Sequence, residues 1–301
     1  MAKAKSIGGY DARVTEACER VLVTLLRHLG PWRESVFLVG GLTPRYLIEA
    51  RPPEVPAHAG TADVDVVVDI AMLTDTEAYR TLEANLREMN FHRAVNEDGI
   101  KQSWRWQTEV DGATMILEFL VDDPDRRGGK VEVLPVEGKV SAVNIPHSSM
   151  VVDFHKTREL KAELLNGKGV AVEKVRFADI VSFTCLKSLA YDDRIEPKDA
   201  HDLVYCLEHY PGGVEAAVDE FLRGLETKHR EVILDALGRL SKRFRDGDPD
   251  QSYRLDGPVA VAAFEGNDAG IEEDEGERDS RILRQRRAAD VVAQLLGPLI
   301  G

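Results

Sequence analysis

The chain has 301 residues, 43% hydrophobic and 31% charged, with a formal net charge of -14. That length suits one large domain or two of ordinary size, and no apolar run approaches the ~20 residues of a membrane-spanning helix. The opening MAKAKSIGGYDARVTEACER has two early lysines but no apolar stretch behind them; a secretory signal is not expected, and the cytoplasm is the expected location. Cys18, Cys185 and Cys206 lie far apart, and the eight histidines form no H-E-x-x-H pair, so neither a disulfide framework nor a zinc site is expected.

The negative charge is unevenly spread. Eight acidic residues against the single Arg278 lie between Glu265 and Asp279, and this stretch alone holds half the net charge. The rest of the chain is only mildly acidic, which leaves a nucleotide or RNA partner open if basic residues cluster locally.

Apolar residues from Ala12 to Leu29 recur near every 3.6 positions and predict an amphipathic helix. Ser35 to Val39 reads as a buried strand that turns at Gly40-Gly41 into a helix over Pro44 to Ala50. The proline-rich stretch Arg51 to Gly60 reads as a loop, Val64 to Ile70 as a second strand and Thr74 to Met89 as a helix. Ser103 to Val110 and Thr114 to Val121 form a hairpin around Asp111-Gly112. Beyond Pro124 only weak strands near Val131 to Val136 are expected until a helix over Phe177 to Tyr191. Further helices follow over Lys198 to Glu208, Val214 to Leu225 and Glu226 to Phe244. Residues 245–279 are expected to be mobile, with Val259 to Phe264 as an apolar island, before a last helix over Ser280 to Leu296.

The chemistry-bearing signal is Gly40-Gly41 after a strand, followed by Asp63-Val64-Asp65 opening the next. Carboxylates at i and i+2 share one face of a strand. They repel each other unless a cation lies between them, and magnesium or manganese prefers carboxylate oxygens completed by water and phosphates. The glycine turn offers backbone amides to a triphosphate at a helix start. Glu118 interrupts the apolar run Met115 to Leu120, where a charge is costly unless paired or metal-bound. It is the candidate third ligand, ahead of Asp122 and Asp123 beside Pro124.

FLVGGLTPRYL followed by TADVDVVVDI resembles the signature of the DNA polymerase beta superfamily of nucleotidyltransferases. LKSLAYDDRIEPKDAHDL resembles the K-x6-R-x3-K-D-x2-D block of the AbiEii/AbiGii nucleotidyltransferase toxins, with Lys187, Arg194, Lys198, Asp199 and Asp202 in the matching places. Together the two blocks cover roughly residues 35 to 205. The resemblance implies an α+β nucleotidyltransferase fold, a small mixed sheet flanked by helices, with a C-terminal helical domain. It divides the chain into a nucleotidyltransferase domain (1–170), a helical domain completing the active site (171–244), the acidic segment (245–279) and a terminal helix (280–301).

The resemblance also implies that Asp63, Asp65 and Glu118 hold Mg2+ or Mn2+ and that Asp199 belongs to the active site. Gly40, Gly41, Thr43, Arg45, Lys187, Arg194 and Lys198 would bind the nucleoside triphosphate. The acceptor would be tRNA or a protein, and a cognate antitoxin would be the partner. Two departures stand out: Leu42, not serine or threonine, follows the glycine pair, and the loop to Asp63 is long.

Plainer readings exist for each motif. Lys187 and Arg194, two helical turns apart, suit a solvated face. Asp199 and Asp202 suit a helix N-terminus after Pro197. Trp104 and Trp106 suit a core as well as a base-stacking platform, and Arg281, Arg284, Arg286 and Arg287 suit pairing with the acidic stretch. A small-molecule nucleotidyltransferase of the antibiotic-modifying kind shares the glycine and D-x-D core, and a non-catalytic nucleotide-binding module would retain the fold.

Overall fold

A computed structural model describes residues 4–69, 82–96, 99–134, 140–266 and 274–300. Their contacts resolve into two units, neither continuous in sequence. One comprises Ala12–Thr43 and Gly60–Asp179; the other comprises Met1–Asp11, Pro44–Ala59 and Ile180–Gly301. The boundary therefore falls at Asp179 rather than at 170. The stretch after the glycine turn, expected to belong to the N-terminal domain, belongs to the C-terminal unit.

The first unit is a mixed sheet with helices. It contains α1 (Ala12–Leu29), β1 (Val36–Val39), β2 (Asp63–Val68), α3 (Leu82–Glu88), β3 (His92–Val95), β4 (Lys101–Val110), β5 (Ala113–Val121), β6 (Val131–Val133), β7 (Ser141–Asn144), α4 (Met150–Asp153), β8 (His155–Glu163) and β9 (Val170–Ala178); α2 (Pro44–Leu47) lies in the other unit. The strand order is β3-β4-β5-β2-β1-β9-β8, with β7 paired to β5 and β6 to β7. β2–β5, β1–β9 and β5–β7 are parallel; the other pairs are antiparallel.

Ala17, Cys18, Val21, Leu22, Leu25 and Leu26 of α1 are buried, and the helix lies on β2, β5, β8 and β9. Val64, Val66, Leu117 and Phe119 are buried and share one sheet face through their register. This is the face toward α1, as the approach of Cys18 Sγ to Met115 Sδ at 3.6 Å shows. The alternate positions, Asp63, Asp65 and Glu118, consequently lie on the opposite face.

The β8–β9 hairpin falls where irregular chain and the start of a helix were expected; the following helix, α5 (Ile180–Arg194), begins three residues later than Phe177. β9 alternates with period two, burying Ala171, Val175 and Phe177 and, among them, one charge. Glu173 is buried while Val170 and Val172 are exposed, because Arg27 and Arg33 neutralise Glu173 at 3.3 and 3.0 Å. Of the helix expected over 74–89, residues 74–81 lie outside the described residues, and the strand expected near 131–136 is described only as β6.

The second unit is helical: α2, α5, α6 (Pro197–Glu208), α7 (Gly213–Gly224), α8 (Arg230–Phe244), α9 (Asp256–Glu265) and α10 (Glu275–Ile300). α5 packs on α6 and α8, and α9 on α6 and α10. The stretch expected to be mobile thus contains a docked helix, α9, because its apolar island buries Val261 and Phe264. Residues 267–273 of that stretch are outside the described residues. Among the described residues, no helix is long and apolar enough to cross a membrane.

Candidate active site

The chemistry-bearing residues gather in two clusters, one described in each unit. In the sheet unit, Val39 pairs with Asp65, Asp65 with Glu118, and Glu118 with Arg105. These four positions form one row across β1, β2, β5 and β4. Their side chains share a face, with neighbouring strands about 4.8 Å apart. Asp63 lies two residues before Asp65 on the same face. Asp63, Asp65 and Glu118 are all half-buried, where charge matters more than at a fully wetted surface.

Gly40 explains why the strand before the row ends in glycine. Its φ is +70°, and a Cβ built there would overlap the Asp65 carboxylate. The glycine pair therefore does more than turn the chain: it lets the carboxylate lie against backbone. Gly40→Ala would combine left-handed strain with displacement of Asp65. We expect the variant to fold with a loss of about 1–3 kcal/mol and to bind Mn2+ much more weakly, checked by urea unfolding and by Mn2+ titration.

Asp63, Asp65 and Glu118 supply oxygen donors of the kind that Mg2+ or Mn2+ prefers, but although they share one face their oxygens are not gathered within 4.8 Å of one another as a trio. Arg105 adds a cation of the protein's own. Its Nε lies 2.9 Å from Glu118 Oε1, yet the Nε–H does not point along that line and makes no hydrogen bond. The Cys18 thiol beneath is pushed up by burial and by the negative charges of Asp63 and Asp65, leaving it inert.

The other predicted residues are placed differently. Thr43 is wholly buried, and its hydroxyl has no hydrogen-bond partner, so it presents no group to a solvent-borne phosphate. Arg45 lies in the helical unit, where its carbonyl accepts from Arg51 Nη2 at 2.8 Å. Asp122, the weaker alternative to Glu118, accepts from the Ser149 backbone and hydroxyl at 3.1 and 2.6 Å. Asp123 accepts from the amide of Asp125 at 3.0 Å, as a turn residue does. Trp106 is fully buried, as its core reading anticipates.

The second cluster lies in the helical unit on α5 and α6. Lys187 Nζ donates to Asp199 Oδ1 and Asp202 Oδ2, both at 2.7 Å. Lys198 Nζ donates to the two Asp202 oxygens at 2.8 and 2.9 Å, and Arg194 Nε donates to Asp199 Oδ2 at 2.6 Å. The block is thus brought together, but Lys187 and Lys198 are only 8% exposed and Asp199 and Asp202 2% or less. This corrects the solvated-face reading for Lys187. Lys187 is held protonated, against burial, by Asp199 and Asp202. Although burial opposes ionisation of both aspartates, Lys187 leads the cations that keep them charged, with Arg194 assisting at Asp199 and Lys198 at Asp202.

His58, in the loop 51–60, completes this lattice without any sequence signal of its own. Its Nε2–H donates to Asp202 Oδ1 at 2.9 Å, since a carboxylate can only accept. Nearby, Tyr205 Oη donates to Pro56 O at 2.9 Å. Burial holds the His58 imidazole down at about 4 despite the upward pull of Asp202. Unfolding returns it to its ordinary value near 6.5, so the unfolded chain binds the extra proton between those values. Stability is full above about pH 6.5 and falls as pH drops toward 4, with His58 removing about 2 kcal/mol between pH 7.5 and 5. His58→Gln retains a donor but cannot titrate there. Urea unfolding at both pH values should show the variant losing about 2 kcal/mol less than wild type.

His58, His201 and Asp202 bring potential metal-ligand atoms within 4.8 Å of one another. Asp202 already accepts from two ammonium groups, and a divalent ion there would have to displace a lysine, so the trio is a poor metal site. His201 instead donates through Nδ1 to Glu265 at 2.8 Å. Arg284 grips Glu265 and Glu208, which gives one of the terminal arginines the paired role anticipated for them.

Neither a protein-family model nor a curated protein sequence matches this chain.

Proposed function

We propose that the chain is a metal-dependent nucleotidyltransferase that moves a nucleoside monophosphate from a triphosphate to an acceptor and releases pyrophosphate. The observation that supports it most is the row Asp65–Glu118, with Asp63 on the same face and Gly40 fitted against Asp65. Bound there, Mg2+ or Mn2+ would supply charge neutralisation for the triphosphate at reaction. Asp63, Asp65 and Glu118 would hold it, and the backbone at Gly40-Gly41 would lie open to phosphate oxygens.

The acceptor is tRNA or another component of translation in this proposal, and the biological role is that of a toxin restrained by a cognate antitoxin. Both rest on the likeness of the two sequence blocks. The buried lattice changes one implied role. Lys187 and Lys198 have their charges taken up by carboxylates, so the helical block supports the architecture of its unit, and half-exposed Arg194 is its member nearest to solvent.

The test is incubation of the full-length protein with Mg2+, each radiolabelled triphosphate in turn, and total tRNA or cell extract, with Asp65→Asn as control. Label appearing on RNA or protein with wild type alone identifies nucleotide and acceptor class together. Failure to bind any triphosphate in Mg2+ or Mn2+ would remove the proposal.

A further inference from the structure

We propose that Arg105 is a triphosphate-binding residue that neutralises Glu118 before the metal binds and then exchanges that partner for a phosphate of the bound triphosphate. This rests on the nucleotidyltransferase reading above. Arg105 and Glu118 are direct cross-strand partners on β4 and β5, and Glu118 is in turn the partner of Asp65. A cation of the protein therefore ends the carboxylate row, on the face where a metal and its phosphates would lie.

The contact is close at one pair of atoms. The 2.9 Å approach of Nε to Oε1 is not accompanied by a hydrogen bond from that Nε–H, unlike the aligned bonds of the buried lattice. The Arg105 side chain is 32% exposed and that of Glu118 19%, so water weakens the attraction and little is lost when it breaks. Asp65 and Glu118 are like-charged cross-strand partners, and Arg105 beside Glu118 lowers the negative charge of the row. A divalent ion held by the carboxylates would take up their charge and would repel Arg105. The guanidinium then finds a better partner in phosphate oxygens, which its planar fork fits in a bidentate way.

Competition with the metal and cooperation with the triphosphate have opposite signs, which separates this role from a purely structural one. Mn2+ binding to the full-length protein is measured by calorimetry, and binding of a non-hydrolysable α,β-methylene triphosphate is measured with and without Mn2+. Arg105→Gln is expected to bind Mn2+ alone about fivefold more tightly and the analogue in Mn2+ about tenfold more weakly. Arg105→Lys should keep the wild-type Mn2+ affinity and recover only part of the analogue binding.

If Arg105→Gln fails to fold by circular dichroism, Glu118→Gln carries the test: it releases Arg105, so metal-free binding of the analogue should rise about fivefold. Unchanged affinities in these variants, or a loss of both metal and analogue binding together in Arg105→Gln, would overturn the exchange. If Asp65→Asn abolishes Mn2+ binding while Arg105→Gln changes nothing, the nucleotidyltransferase reading stands and the role of Arg105 falls. Absence of Mn2+ binding by the wild type would overturn both.

Discussion

Asp65→Asn is expected to lower nucleotidyl transfer by about 10³-fold or more while leaving the fold intact. Asp65 lies inside the row, in register with Val39 on one side and Glu118 on the other, and against Gly40. Asparagine preserves that shape and removes only the charge on which a divalent cation depends. The same loss relieves repulsion with Glu118, so metal-free stability should stay level or rise by up to about 1 kcal/mol. Initial rates of label transfer and urea midpoints measure the two effects on one preparation. A variant that keeps a tenth of the wild-type rate would take Asp65 out of the metal set. Activity and stability moving in opposite directions is the signature of a site whose charges oppose the fold that carries them.

The shared face of Asp63 and Asp65 was legible because a strand repeats every two residues, and Glu118 because a charge inside an apolar run requires a reason. Their adjacency was not, since it depends on β2 pairing in parallel with β5 across some fifty intervening residues. The Arg105–Glu118 pair, by contrast, is local: a two-residue turn at Asp111-Gly112 places Val110 opposite Ala113 and so Arg105 opposite Glu118. The β8–β9 hairpin leaves a faint pattern because β8 has no buried face and β9 mixes Glu173 into its buried side and two valines into its exposed side. His58 left no trace in its proline-rich loop, its partner Asp202 being 144 residues away.

The helical block raises a question that sequence alone could not decide, because its residue types suit phosphate binding and structural ion pairing equally well. Burial separates the two. Asp202 is fully buried and accepts from Lys187, Lys198 and His58, so removing its charge strands cations that have left water. Asp202→Asn is therefore expected to destabilise the protein by about 3–5 kcal/mol, read as a fall in the urea midpoint. Lys198→Met added to it removes the ammonium that donates to both Asp202 oxygens. The double variant should consequently be more stable than Asp202→Asn by itself. If Asp202→Asn instead unfolds like wild type and loses only transfer, the lattice serves catalysis and its burial would be incidental. If the double variant is the less stable of the two, loss of shape at the α5–α6 contact, rather than stranded charge, accounts for the damage.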